Sequence, residues 1–300
     1  MRQKDVRAPP GLLGRARSRL VRVGGTTNLT SQALAGTIFP MTAPFVVLHI
    51  PHSSTVIPAH VRPSLCLPDK DLARETLLMT DQCTDELFDC QAESVTRVVF
   101  PVSRLVLDPE RFTDDAKEPM AKKGMGVVYT KTSDGKPLRR PGFVPTRAEL
   151  IGEFYRPHHN KLEIAVAESL RDNGSCLILD CHSFPSVPLP YESCSGKTRP
   201  GICLGTVPSH TPEWFIQEAE RLFRVKGFMV AQNDPFEGVL VPDRYQGNAS
   251  VLALMIEINR SLYMDEASGD RLPGFPGFKG LLLRLLEDLI DFVLKQLRMI

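Results

Sequence analysis

The chain has no Cys-x-x-Cys pair, although it holds 7 cysteines in 300 residues. An odd count without paired spacing argues against both a zinc finger and a disulfide framework. Cys66, Cys83, Cys176 and Cys181 sit in or beside apolar runs, which predicts a reducing, cytoplasmic setting. Net charge is only +1, so no broad field draws the chain to nucleic acid or to an acidic membrane. Aromatic residues amount to 7% and are not interleaved with basic ones, which counts against RNA binding. No apolar run is long enough to cross a bilayer. There is no Gly-x-Ser-x-Gly elbow and no Walker loop, and the glycines of "KKGMG" make too weak a nucleotide signal. These absences disfavour a serine hydrolase of the α/β type and a P-loop enzyme.

What is present is an ordinary globular composition, 42% hydrophobic and 24% charged, long enough for one large α/β domain. Residues 1–40 stand apart. They hold six arginines and one acid with little apolar periodicity, and read as a disordered extension. Organelle transit peptides share this Arg-rich, acid-poor character, whereas "MRQKDVRAPP" lacks the apolar core of a secretory signal. Met41 is an alternative start, since "MTAPFVVLHIPHSS" opens directly onto an apolar strand. Residues 41–300 are expected to form a single domain.

Within that domain "FVVLHI", "VTRVVFPVS", "SCLILDCHS", "GICLGT" and "VLALMIEINRS" read as strands. "DKDLARETLLMTDQCTDELFDC" reads as one helix of about five turns. Further helices are expected from Pro157 to about Leu170, over "TPEWFIQEAERLFRVKG", and over the last twenty residues. "VVYTKTSDGKPLRR" predicts a hairpin turning at Asp134-Gly135. "LVLDPERFTDDAKEPMAKKGMG" is a long irregular segment of the kind that usually carries function. Strands apolar on both faces, alternating with helices, predict an α/β three-layer sandwich: a mainly parallel mixed sheet with helices on both faces. Ligands of such sheets collect beyond the carboxyl ends of the strands.

His52 follows the first strand and His182 follows "CLILDC". One such histidine alone reads as a core or loop residue with a satisfied hydrogen bond. Two in equivalent places, each followed by serine, suit a shared divalent ion, most simply Zn²⁺. A hydrolytic zinc site needs a third protein ligand, yet Thr55 stands where a His-x-x-Glu pattern has its acid. Asp81 shares a helical stripe with Leu77, Thr84 and Phe88 and is the candidate third ligand; Asp85 and Glu75 compete with it. Glu257 lies among apolar residues in "VLALMIEIN", where a carboxylate is costly unless paired. Its bland reading is a structural pair with Arg260; its functional reading is a general base with a raised pKa. "SRLVLDPERF" carries Arg104, Asp108 and Arg111, and Arg139, Arg140 and Arg260 are further cations whose planar forks match a carboxylate. Each could equally be a surface ion pair. "FYRPHHNKL" places His158 and His159 in a first helical turn, with His159 on the stripe of Leu162 and Val166.

The ordered motifs "LHIPHSSTVIP", "TDQCTDELFD", "SRLVLDPERF", "GMGVVYT", "GKPLR", "YRPHHNKL", "LILDCHSFPS", "ICLGT", "NDPFEGVLVP" and "MIEINRSLYMDE" resemble those of the N-formylglutamate amidohydrolase family, over about residues 45–292. The resemblance implies a zinc-dependent, carboxypeptidase-like hydrolase with the phosphorylase/hydrolase-like architecture. Its members cleave N-formylglutamate to formate and glutamate, a late step of histidine degradation. By matching motif positions it implies His52, His182 and Asp81 as metal ligands, Glu257 as general base, and Arg104 and Arg111 as carboxylate clamps. Arg139 and His159 join the substrate-binding candidates. The chain reads His52-Ser53-Ser54 where many relatives have His-Ser-Gly. The expected substrate is a small N-acyl amino acid, with no nucleic-acid or membrane partner. The competing expectation is a protein that binds an acidic amino acid or peptide without turnover, or a deacylase for another acyl group.

Overall fold

A six-stranded sheet runs in the order β2-β1-β3-β6-β4-β5. The strands are β1 Val46–Ile50, β2 Val95–Val99, β3 Cys176–Phe184, β4 Ile202–Gly205, β5 Val230–Gln232 and β6 Val251–Asn259. The computed structural model describes residues 45–192 and 198–299. The extension expected over 1–40, and Met41 as a start, lie outside the described residues. β1, β2, β3 and β6 pair in parallel, β4 runs antiparallel to β6, and β5 pairs in parallel with β4. This is the mainly parallel mixed sheet expected. Only the three-residue β5, too short to show a period, escaped the sequence.

Strand alternation divides the sheet into two faces. Leu48, Leu179, Leu204 and Leu254 pack on one face against α2 Thr84–Leu87, α5 Glu213–Arg224 and α6 Phe275–Leu297. Val47, Ile178 and Ala253 pack on the other against Leu162 and Val166 of α4 Arg156–Asn173. The layers are therefore helix, sheet, helix. Among the described residues no helix is long and apolar enough to cross a membrane. The described cysteines are all free.

Three expectations are corrected. The first concerns the helix over 69–90, which is two: α1 Asp69–Met79 and the short α2, parted at Thr80–Cys83. Cys83 takes a left-handed conformation (φ 61°), which breaks the helix, and Asp81 lies in the break rather than on a helical stripe. The Asp81 N–H donates instead to the His52 carbonyl (3.0 Å). Second, "VVYTKTSDGKPLRR" forms a tight turn closed by a single Lys131–Pro137 bridge, not a hairpin of two strands. Third, His182 lies inside β3, not beyond it.

The irregular segment after β2 is packed rather than loose. Val106, Leu107 and Val127 bury with Leu150 of α3 Arg147–Leu150, and Leu105, Met125 and Tyr129 bury with Leu72 of α1. Burial at both ends fixes what lies between them, Asp108 to Arg111.

Candidate active site

The alternation that builds the core also builds the site. On the α4 face, toward the carboxyl ends, apolar residues give way to His49 on β1, Asp180 and His182 on β3, and Glu257 on β6. His49 pairs in register with Asp180, and His182 with Glu257. Pro51 ends β1, and His52 turns in beside them.

His52 and His182 are buried, with ring centroids 5.2 Å apart. His52 Nε2 lies 2.9 Å from Asp108 Oδ1. Burial opposes the charge of Asp108, but Arg104, His52 and Arg111 hold its carboxyl well below the usual range. An ionised acceptor assigns the proton to His52 Nε2 and leaves the Nδ1 lone pair facing the cluster. That Nδ1 is buried and makes no hydrogen bond. Glu110 Oε2 stands 3.8 Å from it and Asp81 Oδ2 3.6 Å. His182 Nε2 lies 3.2 Å from Glu110 Oε1 and 3.1 Å from Asp180 Oδ1, and its Nδ1 is 3.1 Å from Asp81 Oδ2. Burial lowers the affinity of His182 for a proton, but Glu110 and Asp180 raise it well above the ordinary value.

His52, Glu110 and His182 each offer one ligand atom, all within 4.8 Å of one another. Two imidazoles and a carboxylate make a donor set suited to Zn²⁺ or a similar divalent ion. The unpartnered Nδ1 in an anionic pocket is what a ligand awaiting a cation looks like, so these residues fit a metal. His49, Glu110 and Asp180 make a second such group with the same glutamate.

Asp81 touches both histidines. It also accepts from Arg260 (3.2 Å) and from the Ser183 N–H (3.3 Å). Asp85 is exposed, and the Glu75 carboxylate is taken by Ser133 through its N–H (2.5 Å) and hydroxyl (2.9 Å). Neither joins the cluster. Glu257 is buried, its Oε2 has no hydrogen-bond partner, and burial pushes its carboxyl up to about 8.

A cavity of about 400 Å³ opens over His52, His182 and Glu257. Arg104, Arg111 and Arg260 line it. Arg104 is held by Asp108 (2.8 Å) and Arg260 by Asp81 and the Leu78 carbonyl (2.7 Å). The Arg111 guanidinium makes no hydrogen bond among the described residues and approaches Asp108 only to 3.5 Å and Glu118 to 3.9 Å. Arg139 does not reach the cavity. It is buried and spends its guanidinium on the carbonyls of Tyr129 (2.9 Å), Leu105 (2.8 Å) and Val106 (2.7 Å). His159 bonds the Pro109 carbonyl (2.7 Å), which steadies the turn bearing Glu110. The ring that faces the sheet is His158, 2.8 Å from His49.

Sequence reasoning missed Glu110, Asp180 and His49. Asp180 carries the same signal that marked Glu257, a carboxylate inside a buried strand. Glu110 carries none, because no periodicity constrains an irregular segment.

The family model for N-formylglutamate amidohydrolase matches residues 44–264. A solved N-formylglutamate amidohydrolase from Ralstonia eutropha JMP134 superposes with TM-score 0.72 at 24% identity, covering 85% of this chain and 95% of that one. The gene product Atu2144 from Agrobacterium tumefaciens superposes with TM-score 0.53 at 19% identity, covering 83% and 92%. At those identities the two structures establish the fold. No curated protein matches the chain. The family match, spanning most of the sequence, establishes the rest: the chain belongs to the N-formylglutamate amidohydrolase family, hydrolases of a linear amide.

Proposed function

We propose that the chain is a divalent-metal-dependent hydrolase of the amide bond of an N-acyl amino acid, for which N-formyl-L-glutamate is the first substrate to test. The reading rests on one observation above others: the buried, unpartnered His52 Nδ1 facing Glu110 and His182. His52, Glu110 and His182 would hold the ion, with Asp81 bonded to His182 at its edge. The residues involved lie within 45–299, which we infer to be the catalytic domain. A bound divalent ion supplies a lowered pKa for water and a polarised carbonyl.

Glu257 is the general base. Burial raises the proton affinity of its carboxylate, so the ionised form would take the proton of the attacking water and return it to the leaving nitrogen. Arg111, whose guanidinium makes no hydrogen bond among the described residues, clamps a substrate carboxylate by its planar fork. Arg104 and Arg260 hold Asp108 and Asp81 in place, and Arg104 also lines the cavity.

The test is formate release from N-formylglutamate, together with amine release from a panel of N-acyl amino acids, by protein with and without Zn²⁺. Turnover that disappears on chelation and returns with metal is the expected result. Full activity after chelation removes the metal from the proposal. Tight binding of an acidic amino acid without turnover of any amide would identify a binding protein instead.

A further inference from the structure

The cluster borders not one cavity but two. Beyond the first lies another of about 690 Å³, lined in part by Tyr155, His159, Asp180 and Val239. Glu110, Arg111, Glu237 and Met255 line both. Glu110 therefore stands at their junction, and Glu110 belongs to the candidate ligand group.

The partition between the cavities is built into the fold. It is the segment between β5 and β6, tied down at three points. The Phe236 carbonyl accepts from Cys203 Sγ of β4 (3.3 Å). The Leu240 N–H donates to Asp180 Oδ2 (3.0 Å). The Gly238 carbonyl lies so close to Gly205 that a Cβ there would come within 2.3 Å of it. A second cavity walled by an anchored segment is preformed, as ligand sites usually are.

An amide has two substituents. One hangs from nitrogen and one from the carbonyl carbon. An amide whose carbonyl sits beside Glu110, the one candidate ligand that lines both, has a cavity on either side to place them in. A formyl group has only hydrogen on its carbonyl carbon and leaves one side empty. The first cavity alone falls in the range of about 300–1,000 Å³ that holds drug-sized ligands.

We propose that the site is two-sided: the amino-acid part of the substrate occupies the first cavity, and an acyl chain of several atoms occupies the second. This rests on the amidohydrolase reading above. The second cavity suits a chain with a methylene body and a cationic end. Val239 and Val241 supply apolar wall, and the carboxylates of Asp114, Glu163, Glu237 and Asp243 outnumber the cations Arg111, Lys117 and Arg244 around it. The chemistry is hydrolysis: water's hydroxyl joins the acyl carbon, the C–N bond breaks, the remaining proton goes to nitrogen, and a carboxylic acid and an amine leave.

The experiment compares N-formyl-, N-acetyl-, N-butanoyl- and N-(4-aminobutanoyl)-L-glutamate with the metal-loaded protein. The expected kcat/KM rises along the series, with the 4-aminobutanoyl compound at least about tenfold above the formyl one. Thr113→Trp and Val239→Trp each narrow the second cavity; Thr113 is exposed, so its variant tests the idea even if the other fails to fold. Each is expected to cost the 4-aminobutanoyl substrate about tenfold while formyl turnover stays within about threefold. A formyl compound that is the best of the four, or tryptophan variants that depress all four alike, overturns the two-sided site and leaves the amidohydrolase reading standing. No hydrolysis of any of the four overturns that reading and this inference with it.

Discussion

His182 of β3 and Glu257 of β6 stand directly opposite each other in the parallel register of the two central strands. The pairing puts an imidazole and a buried carboxyl on the same face of the sheet, because side chains in register point the same way. Neighbouring positions on that face, Asp180 and Met255, are likewise paired and border the second cavity. The candidate reaction centre is thus an extension of the hydrophobic core pattern, with polar residues substituted at the carboxyl ends of otherwise apolar strands.

The first prediction concerns that pair. Glu257→Gln keeps size and shape but cannot accept a proton. Turnover is expected to fall by about 10²–10⁴-fold, with KM and metal affinity little changed. The folded state should change little, since a buried amide of the same shape replaces a buried carboxyl whose Oε2 already lacks a partner. Steady-state kinetics and a metal titration check this; near-normal turnover would strip Glu257 of its role.

Asp108 carries the second. It accepts from His52, Arg104, the Tyr129 hydroxyl (2.5 Å) and the Glu110 N–H (3.0 Å). It therefore fixes the tautomer of one ligand and the backbone of another. Asp108→Asn is expected to weaken metal affinity about 10–100-fold, as loss of an orienting carboxylate does. It also leaves two guanidiniums without their shared anion, at a cost of about 3–5 kcal/mol in unfolding free energy. Calorimetric metal titration reads the first effect and urea denaturation the second.

These assignments differ in how far the sequence announces them. The strands β1, β3 and β6 are legible because burial on both faces demands unbroken apolar runs. His52, His182 and Glu257 are legible because each interrupts such a run or follows its end. Asp81 is legible as an acid of interest, yet for the wrong reason: the apolar stripe of α1 continues smoothly through the residues where the left-handed Cys83 breaks the helix. A left-handed residue that is not glycine leaves no mark in composition. His158 and His159 precede Leu162 by four and three residues, and both spacings fit a buried face. Only the packed structure chooses between them. Glu110 depends on the burial of distant residues at either end of an irregular segment, a tertiary fact with no local signature.

Arg139 and Arg111 contrast an arginine spent on the fold with the proposed substrate clamp. Arg139→Met leaves the carbonyls of Tyr129, Leu105 and Val106 without a charged donor, and is expected to cost about 3 kcal/mol or more of stability. The folded fraction should keep its KM. Arg111→Met gives up no side-chain hydrogen bond, only the ion pairs with Asp108 (3.5 Å) and Glu118 (3.9 Å), and is expected to raise KM at least about tenfold with a smaller loss of stability than Arg139→Met. Parallel denaturation and kinetic measurements decide; the reverse pattern would exchange the two roles.

His158 predicts a pH dependence of stability. It is packed edge-on to Phe100, with ring centroids 5.0 Å apart, and burial pushes its pKa down to about 2. In the unfolded chain the same imidazole takes a proton near 6.5. Between these values the unfolded state binds a proton that the folded state refuses. The penalty is absent above about pH 6.5 and grows as pH falls, by at most about 1.4 kcal/mol per pH unit. His158→Gln keeps a hydrogen-bond donor for His49 but cannot titrate. Urea midpoints of the two proteins, followed from pH 7.5 to 5, are expected to diverge, with the wild type losing about 2 kcal/mol more over that range. Other ionisable groups are common to both and cancel in the difference. Parallel curves would mean that His158 accepts its proton in the folded state, and that the ring facing His49 is a cation rather than a neutral acceptor or donor.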